Sequence, residues 1–263
     1  MKKILGLTAL LAFAFTLSLS AQAAAGLPDL KGRTIVAVTE NAYLPLNFAD
    51  PKSGKGIGWE YDAVNEIAKR LNAKVTWKLS SWDTMIQAVR DGQFDVGMDG
   101  ISITDERKKQ VDFSDSYMLS QQYLLVRADE KRFADVKAFA ANPKLLFGAQ
   151  SGTTNFYTAV DALGGDEKSP RIKLFETFGA SVQALQAGDV DAVYMDAATS
   201  KGFIGANPGK YKTIGEPVGN DNFGFIFTPK SDLVKPFNAA IAALKKDGTF
   251  DRLNMKWFVD YKP

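Results

Sequence analysis

Ser102-Ile103-Thr104-Asp105-Glu106-Arg107 sets a hydroxyl and a guanidinium five residues apart, where a strand gives way to a short helix. A guanidinium there can grip a carboxylate through two parallel charge-assisted hydrogen bonds, with Ser102 and the free backbone N–H groups of a helix start as further donors. The competing reading is a solvated arginine on a short capped helix. Asp196 follows an apolar run, so its carboxylate can accept an ammonium, cap a helix beginning at Ala197, or do both. Gly152-Thr153-Thr154 precedes a helical pattern that starts near Asn155, and such a turn either offers N–H groups to an anion or is only a tight turn. Together these parts form an anion clamp and a cation clamp, which is what a zwitterion requires.

The remaining composition narrows the chemistry. The 263 residues contain no histidine and no cysteine, which removes His-based triads, Cys nucleophiles, most zinc sites, iron–sulfur clusters, haem ligation through those residues, and disulfides. Neither a metal nor a cofactor is expected. Hydrophobic residues at 46% and charged residues at 24% are ordinary for a globular chain and argue against disorder. The length suits one large or two small domains.

Residues 1–23 read as a cleavable signal peptide: Lys2 and Lys3 lead a largely apolar run, and Ala21-Gln22-Ala23 supplies the small-x-small cleavage pattern. The expected location is the periplasm. No cysteine follows the apolar run, so a lipid anchor is not expected. Without Lys2 and Lys3, the 32 basic residues fall level with the 30 acidic ones, which gives no case for nucleic acid or an anionic membrane as partner.

Positioning the clamps falls to alternating strands and helices. Residues 34–38, 75–78, 123–126, 145–149, 173–175 and 192–194 read as strands; 62–71, 83–91, 155–163, 181–187, 233–246 and 250–258 read as helices, an α/β pattern with parallel sheets flanked by helices. Residues 85–96 align without gaps with residues 181–192, at an offset of 96, each reading helix, glycine stop, turn, strand. The echo is either a common local pattern or the trace of two lobes of related topology. In open α/β sheets a ligand sits beyond the carboxyl ends of the strands, here just after Met98 and just after Tyr194.

Gly58-Trp59-Glu60-Tyr61-Asp62-Ala63, Phe94-Asp95-Val96, the segment from Ile101 to Arg107, and Val111-Asp112-Phe113-Ser114-Asp115-Ser116-Tyr117 resemble, in order, the polar amino-acid-binding proteins of ABC importers, the family 3 bacterial extracellular solute-binding proteins. The resemblance covers essentially the whole chain after residue 23. It implies a two-lobed, type II periplasmic-binding fold, with each lobe a mixed sheet flanked by helices and the ligand in the interlobe cleft. Residues 24–119 with 218–263 would form one lobe and 120–217 the other, joined by crossings near 117–122 and 216–221. By similarity, Arg107 holds the ligand α-carboxylate with Ser102 and the Thr154 backbone. The Gly100 carbonyl, Ser102 and Asp196 hold its ammonium, and Tyr43 and Trp82 sandwich its side chain, whereas without the resemblance such rings are more often core packing.

Glu40, Gln150 and Met195 would then set side-chain selectivity. Glu40 between two aromatic faces favours a cationic side chain, arginine first and lysine or ornithine next, with glutamine or another neutral amino acid as the alternative. The implied protein is a non-catalytic receptor, monomeric because delivery needs both lobes free to move, and its partners are the amino acid and, transiently, a membrane permease. A competing reading places a cyclohexadienyl-dehydratase-type enzyme on the same scaffold, with Glu40 as general acid.

Overall fold

The computed structural model describes residues 26–262; the expected signal peptide lies outside them. The first part of the chain runs through β1 (Thr34–Thr39), a small three-stranded sheet of β2 (Ala42–Tyr43), β3 (Asn47–Ala49) and β4 (Gly56–Ile57), α1 (Trp59–Arg70), β5 (Lys74–Leu79), α2 (Trp82–Arg90), β6 (Val96–Gly97), α3 (Asp105–Lys108) and β7 (Asp112–Phe113). The second part runs through β8 (Met118–Arg127), α4 (Val136–Ala141), β9 (Phe147–Gln150), α5 (Thr154–Ala162), β10 (Ile172–Phe175), α6 (Phe178–Ala187), β11 (Ala192–Asp196), α7 (Ala197–Ala206) and β12 (Tyr211–Phe223). The chain then returns through β13 (Ile226–Phe227), α8 (Val234–Lys246), α9 (Thr249–Met255) and a π-helical turn over Lys256–Asp260.

Helix α1 forms because Val64, Ile67 and Ala68 recur on one buried face, with Glu60 and Asp62 in its first turn and Lys69 and Arg70 in its last, the favourable arrangement for the helix dipole. Two five-stranded sheets result, ordered β5-β1-β6-β13-β7 and β10-β9-β11-β8-β12. The orders correspond: β5, β1 and β6 pair in parallel, as do β10, β9 and β11, and each parallel trio is extended by an antiparallel strand, β13 or β8. The sheets are therefore mixed, as the resemblance implies: the parallel pairing read from the alternation holds for β5-β1-β6 and β10-β9-β11 and gives way where β13, β7, β8 and β12 pair antiparallel. Strands β8 and β12 pair antiparallel, and their register shifts between Ile214 and Val218 and again by Asp221, over the segment expected as the return crossing.

The echo at an offset of 96 has a physical basis. Asp95 Oδ2 accepts the Val36 N–H at 2.8 Å, and Asp191 Oδ2 accepts the Leu146 N–H at 2.9 Å. Each aspartate thus closes the turn after its helix by binding the backbone of the neighbouring parallel strand. Arg33 pairs with Asp95 at 3.5 Å, and Arg127 and Arg132 pair with Asp191 at 3.3 and 2.5 Å. The repeated aspartate is structural, and it sets the register of the strand whose far end reaches the cleft.

Candidate functional site

The carboxyl ends of β1, β6, β9 and β11 bring residues from distant parts of the sequence to one cavity between the sheets. About 360 Å³ of empty space, its mouth included, is lined by Glu40, Tyr43, Trp82, Asp99, Gly100, Ser102, Arg107, Gln150, Thr153, Thr154, Asn155 and Phe178. Eight of the ten candidate residues read from the sequence are on this wall; of the other two, Asp196 accepts a short hydrogen bond from the hydroxyl of Tyr43, and Met195 lies in the core.

Arg107 is only 8% exposed, on α3, where the Thr104 side chain caps the Arg107 N–H at 3.2 Å. Its Nη1 donates to the Ser102 carbonyl at 3.0 Å, its Nη2 donates across the cleft to the Gly152 carbonyl at 3.2 Å, and its guanidinium carbon lies 5.0 Å from the centre of the Trp82 ring. Trp82 therefore lines the cavity beneath Arg107 while also packing in the core with Val38, Met85 and Val89. Ser102 Oγ and Thr154 Oγ1 meet at 3.2 Å, again from opposite sheets. Thr153 caps α5 by accepting the Phe156 N–H at 3.1 Å, which leaves the first-turn N–H groups around Thr154 beside the cavity.

Glu40 is held by two donors: Gln150 Nε2 reaches its oxygens at 2.9 and 3.2 Å, and the Trp82 N–H reaches Oε1 at 3.2 Å. Burial raises the Glu40 carboxyl above its ordinary pKa, these donors oppose the rise, and the charges of Asp83 and Glu176 add to it. Three residues on, burial pushes the Tyr43 hydroxyl well above its ordinary range, so it stays protonated and donates to Asp196. Tyr43 also meets Phe178 edge-on at 4.9 Å. Asp196 occupies the N-cap position of α7, but its side chain makes no capping hydrogen bond.

Gly100 turns the chain at φ +59°, a conformation that disfavours a side chain, and a Cβ there would lie 2.9 Å from the Tyr43 ring and from Leu46. Behind it, fully buried Glu60 accepts the Gly100 N–H at 2.9 Å, the Tyr117 hydroxyl at 2.5 Å and the Asn47 amide at 2.7 Å. Burial raises the Glu60 carboxyl and these three donors oppose the rise. Buried Glu60 thus anchors the N–H of Gly100, the residue whose own carbonyl was expected to face a ligand ammonium.

The sequence reading left four wall residues out of the site: Asp99, Thr153, Asn155 and Phe178. Asp99 and Thr153 adjoin recognised positions, so strand-end placement and the turn motif could have flagged them. Phe178 reaches the cavity only through the packing of α6, for which the sequence carries no local signal. Met195 is a correction: it is fully buried in the apolar core and does not line the cavity, because β11 turns that side chain to the opposite face from Asp196. Among the described residues, no group of three or more His, Cys, Asp or Glu is placed to hold a metal ion.

Two sheets of matching topology, joined by paired crossing strands and closing on a polar cavity at their strand ends, define a solute-binding protein of the type II periplasmic-binding fold. Residues 35–260 match the bacterial extracellular solute-binding proteins, family 3, and the chain belongs to that family. It is 30% identical over 228 residues, 84% of this chain and 90% of the relative, to the arginine-binding periplasmic protein of Mannheimia haemolytica. An ancestral arginine-binding protein, solved bound to arginine, superposes with a TM-score of 0.77 at 33% identity, covering 87% of this chain and 99% of that one. An ancestral amino acid-binding protein described as a precursor of cyclohexadienyl dehydratase superposes with a TM-score of 0.77 at 31% identity, over 86% of this chain and 95% of its own.

Proposed function

We propose that this protein is the periplasmic receptor of an ABC importer for a cationic amino acid, arginine first and lysine or ornithine next. The observation that carries the reading is the charge of the cavity: Glu40 and Asp99 on its wall and Asp196 bonded to Tyr43 stand against the single guanidinium of Arg107. A ligand carboxylate at Arg107 and two ligand cations at the carboxylates would offset part of that excess negative charge. Residues 24–119 with 218–263 and residues 120–217 act as the two bodies of a hinge. The contacts Glu40–Gln150, Arg107–Gly152 and Tyr43–Asp196 join them, and a ligand held from both sides favours closure, the state a permease reads.

A neutral ligand is the second reading, and the donors already on Glu40 favour it: a carboxylate satisfied by the Gln150 amide can equally accept the amide of glutamine. A thermal-shift screen with the common amino acids, ornithine, citrulline and cystine, on protein stripped of carried-over ligand, separates the two. Stabilisation by arginine or lysine supports the cationic pocket; stabilisation by glutamine alone discards it; no shift with any amino acid overturns the clamp. The raised Glu40 carboxyl also suits a general acid, so incubation with prephenate or arogenate tests the enzyme reading, and aromatic product would replace the receptor reading.

A further inference from the structure

Two buried polar atoms of residues on the cavity wall have no hydrogen-bond partner, Asp99 Oδ1 and Asn155 Nδ2, on opposite sides of the cleft and each in a residue 7% exposed. Leaving such atoms unsatisfied is costly, more so for a carboxylate. Glu40 has Gln150 and the Trp82 N–H, and Glu60 has Tyr117, Asn47 and the Gly100 N–H, so Asp99 is the carboxylate of this trio with an oxygen left over. We propose that Asp99 is a binding contact for a positively charged group of the ligand, and that docking of that group displaces a proton from Asp99. The proposal rests on the cationic amino-acid reading and adds a residue and a proton to it.

The surroundings of Asp99 support this from every side. Glu40 at the end of β1 and Glu60 on α1 both place negative charge on it, Asp196 lies across the cleft beside Tyr43, and the neighbouring phenols Tyr43, Tyr61 and Tyr117 all stay protonated. The cation on the same wall, Arg107, is engaged with the Ser102 and Gly152 carbonyls. Burial first, and then Glu40 and Glu60, push the Asp99 carboxyl well above its ordinary range, while hydrogen bonds from the Asn47 amide and the Glu40 N–H only partly oppose them. A proton satisfies this group while the cleft lacks a second cation. An ammonium or guanidinium arriving there takes over the neutralisation, and the carboxyl releases its proton to solvent. Affinity therefore rises with pH while free Asp99 is protonated, by up to about tenfold per pH unit for one displaced proton.

Calorimetry of L-arginine and L-glutamine binding in two buffers of different ionisation enthalpy, repeated from about pH 5 to pH 8, reads the displaced proton directly. The expected result is release of a fraction of a proton that approaches one at the acid end, with Asp99→Asn still folded, binding more weakly and releasing none. Release with both amino acids assigns Asp99 to the α-ammonium; release with arginine alone assigns it to the side-chain cation. Arginine binding by the wild-type protein with no buffer dependence overturns the proposal and leaves the cationic reading standing. Release that persists undiminished in Asp99→Asn also overturns it, since the proton is then that of Glu40. Glutamine binding without any arginine binding defeats the cationic reading instead.

Discussion

Replacing Arg107 by alanine tests the anion clamp most directly. The side chain is 8% exposed, spans the cleft through the Ser102 and Gly152 carbonyls at 3.0 and 3.2 Å, and stacks on Trp82 at 5.0 Å. If its guanidinium also receives the ligand carboxylate, the substitution strands a buried anion, at a cost of about 2–5 kcal/mol. The dissociation constant should then rise by about 30-fold to several thousand-fold. Titration calorimetry with the ligand identified in the thermal screen measures this, and melting of the ligand-free variant separates lost binding from lost folding. Arg107→Lys keeps the charge without the planar fork, so it should recover only part of the loss. An Arg107→Ala variant that binds within threefold of wild type would refute the assignment.

Three further perturbations follow from the geometry. Glu40→Gln should weaken arginine binding by about 10- to 100-fold, the worth of a charge-assisted hydrogen bond, yet change glutamine binding little; equal losses for both ligands in calorimetry would sink the role of Glu40. Gly100→Ala combines a left-handed backbone with a Cβ 2.9 Å from the Tyr43 ring, so it should cost about 1–3 kcal/mol in thermal or urea unfolding and weaken binding, and an unchanged midpoint would contradict the strain argument. Arg132, hydrogen-bonded to Glu130 at 2.5 Å, lowers the Glu130 carboxyl from its ordinary 4.5 to about 2. That depressed value stabilises the fold above pH 4.5, and the contribution is lost as the pH falls towards 2. Arg132→Ala should therefore flatten the loss of stability across that window in acid titrations of the melting temperature, and an unaltered profile would remove Arg132 as the cause.

Local chemistry made much of this protein legible in its sequence. The buried stripe of α1 and the glycine that ends α6 in a left-handed conformation depend on neighbours a few residues away, so those elements could be placed closely, whereas β7, β13 and α4 were not read, and Asp95 and Asp191 close their turns on strands far away in the sequence. The candidate residues were legible for a related reason: strand ends and helix starts expose polar groups wherever they occur. What tertiary structure alone decided is which of these ends meet. Glu40 and Gln150 are 110 residues apart, and Tyr43 and Asp196 are 153 apart; their contacts exist because the strand ends of the two sheets meet across the cleft. The same packing brought Phe178 into the cavity and left Asp99 with an oxygen that no protein group satisfies. Periodicity reports which face of an element is buried, but the partner across the cleft depends on how the two bodies close, a relation between surfaces with no local signature in the chain.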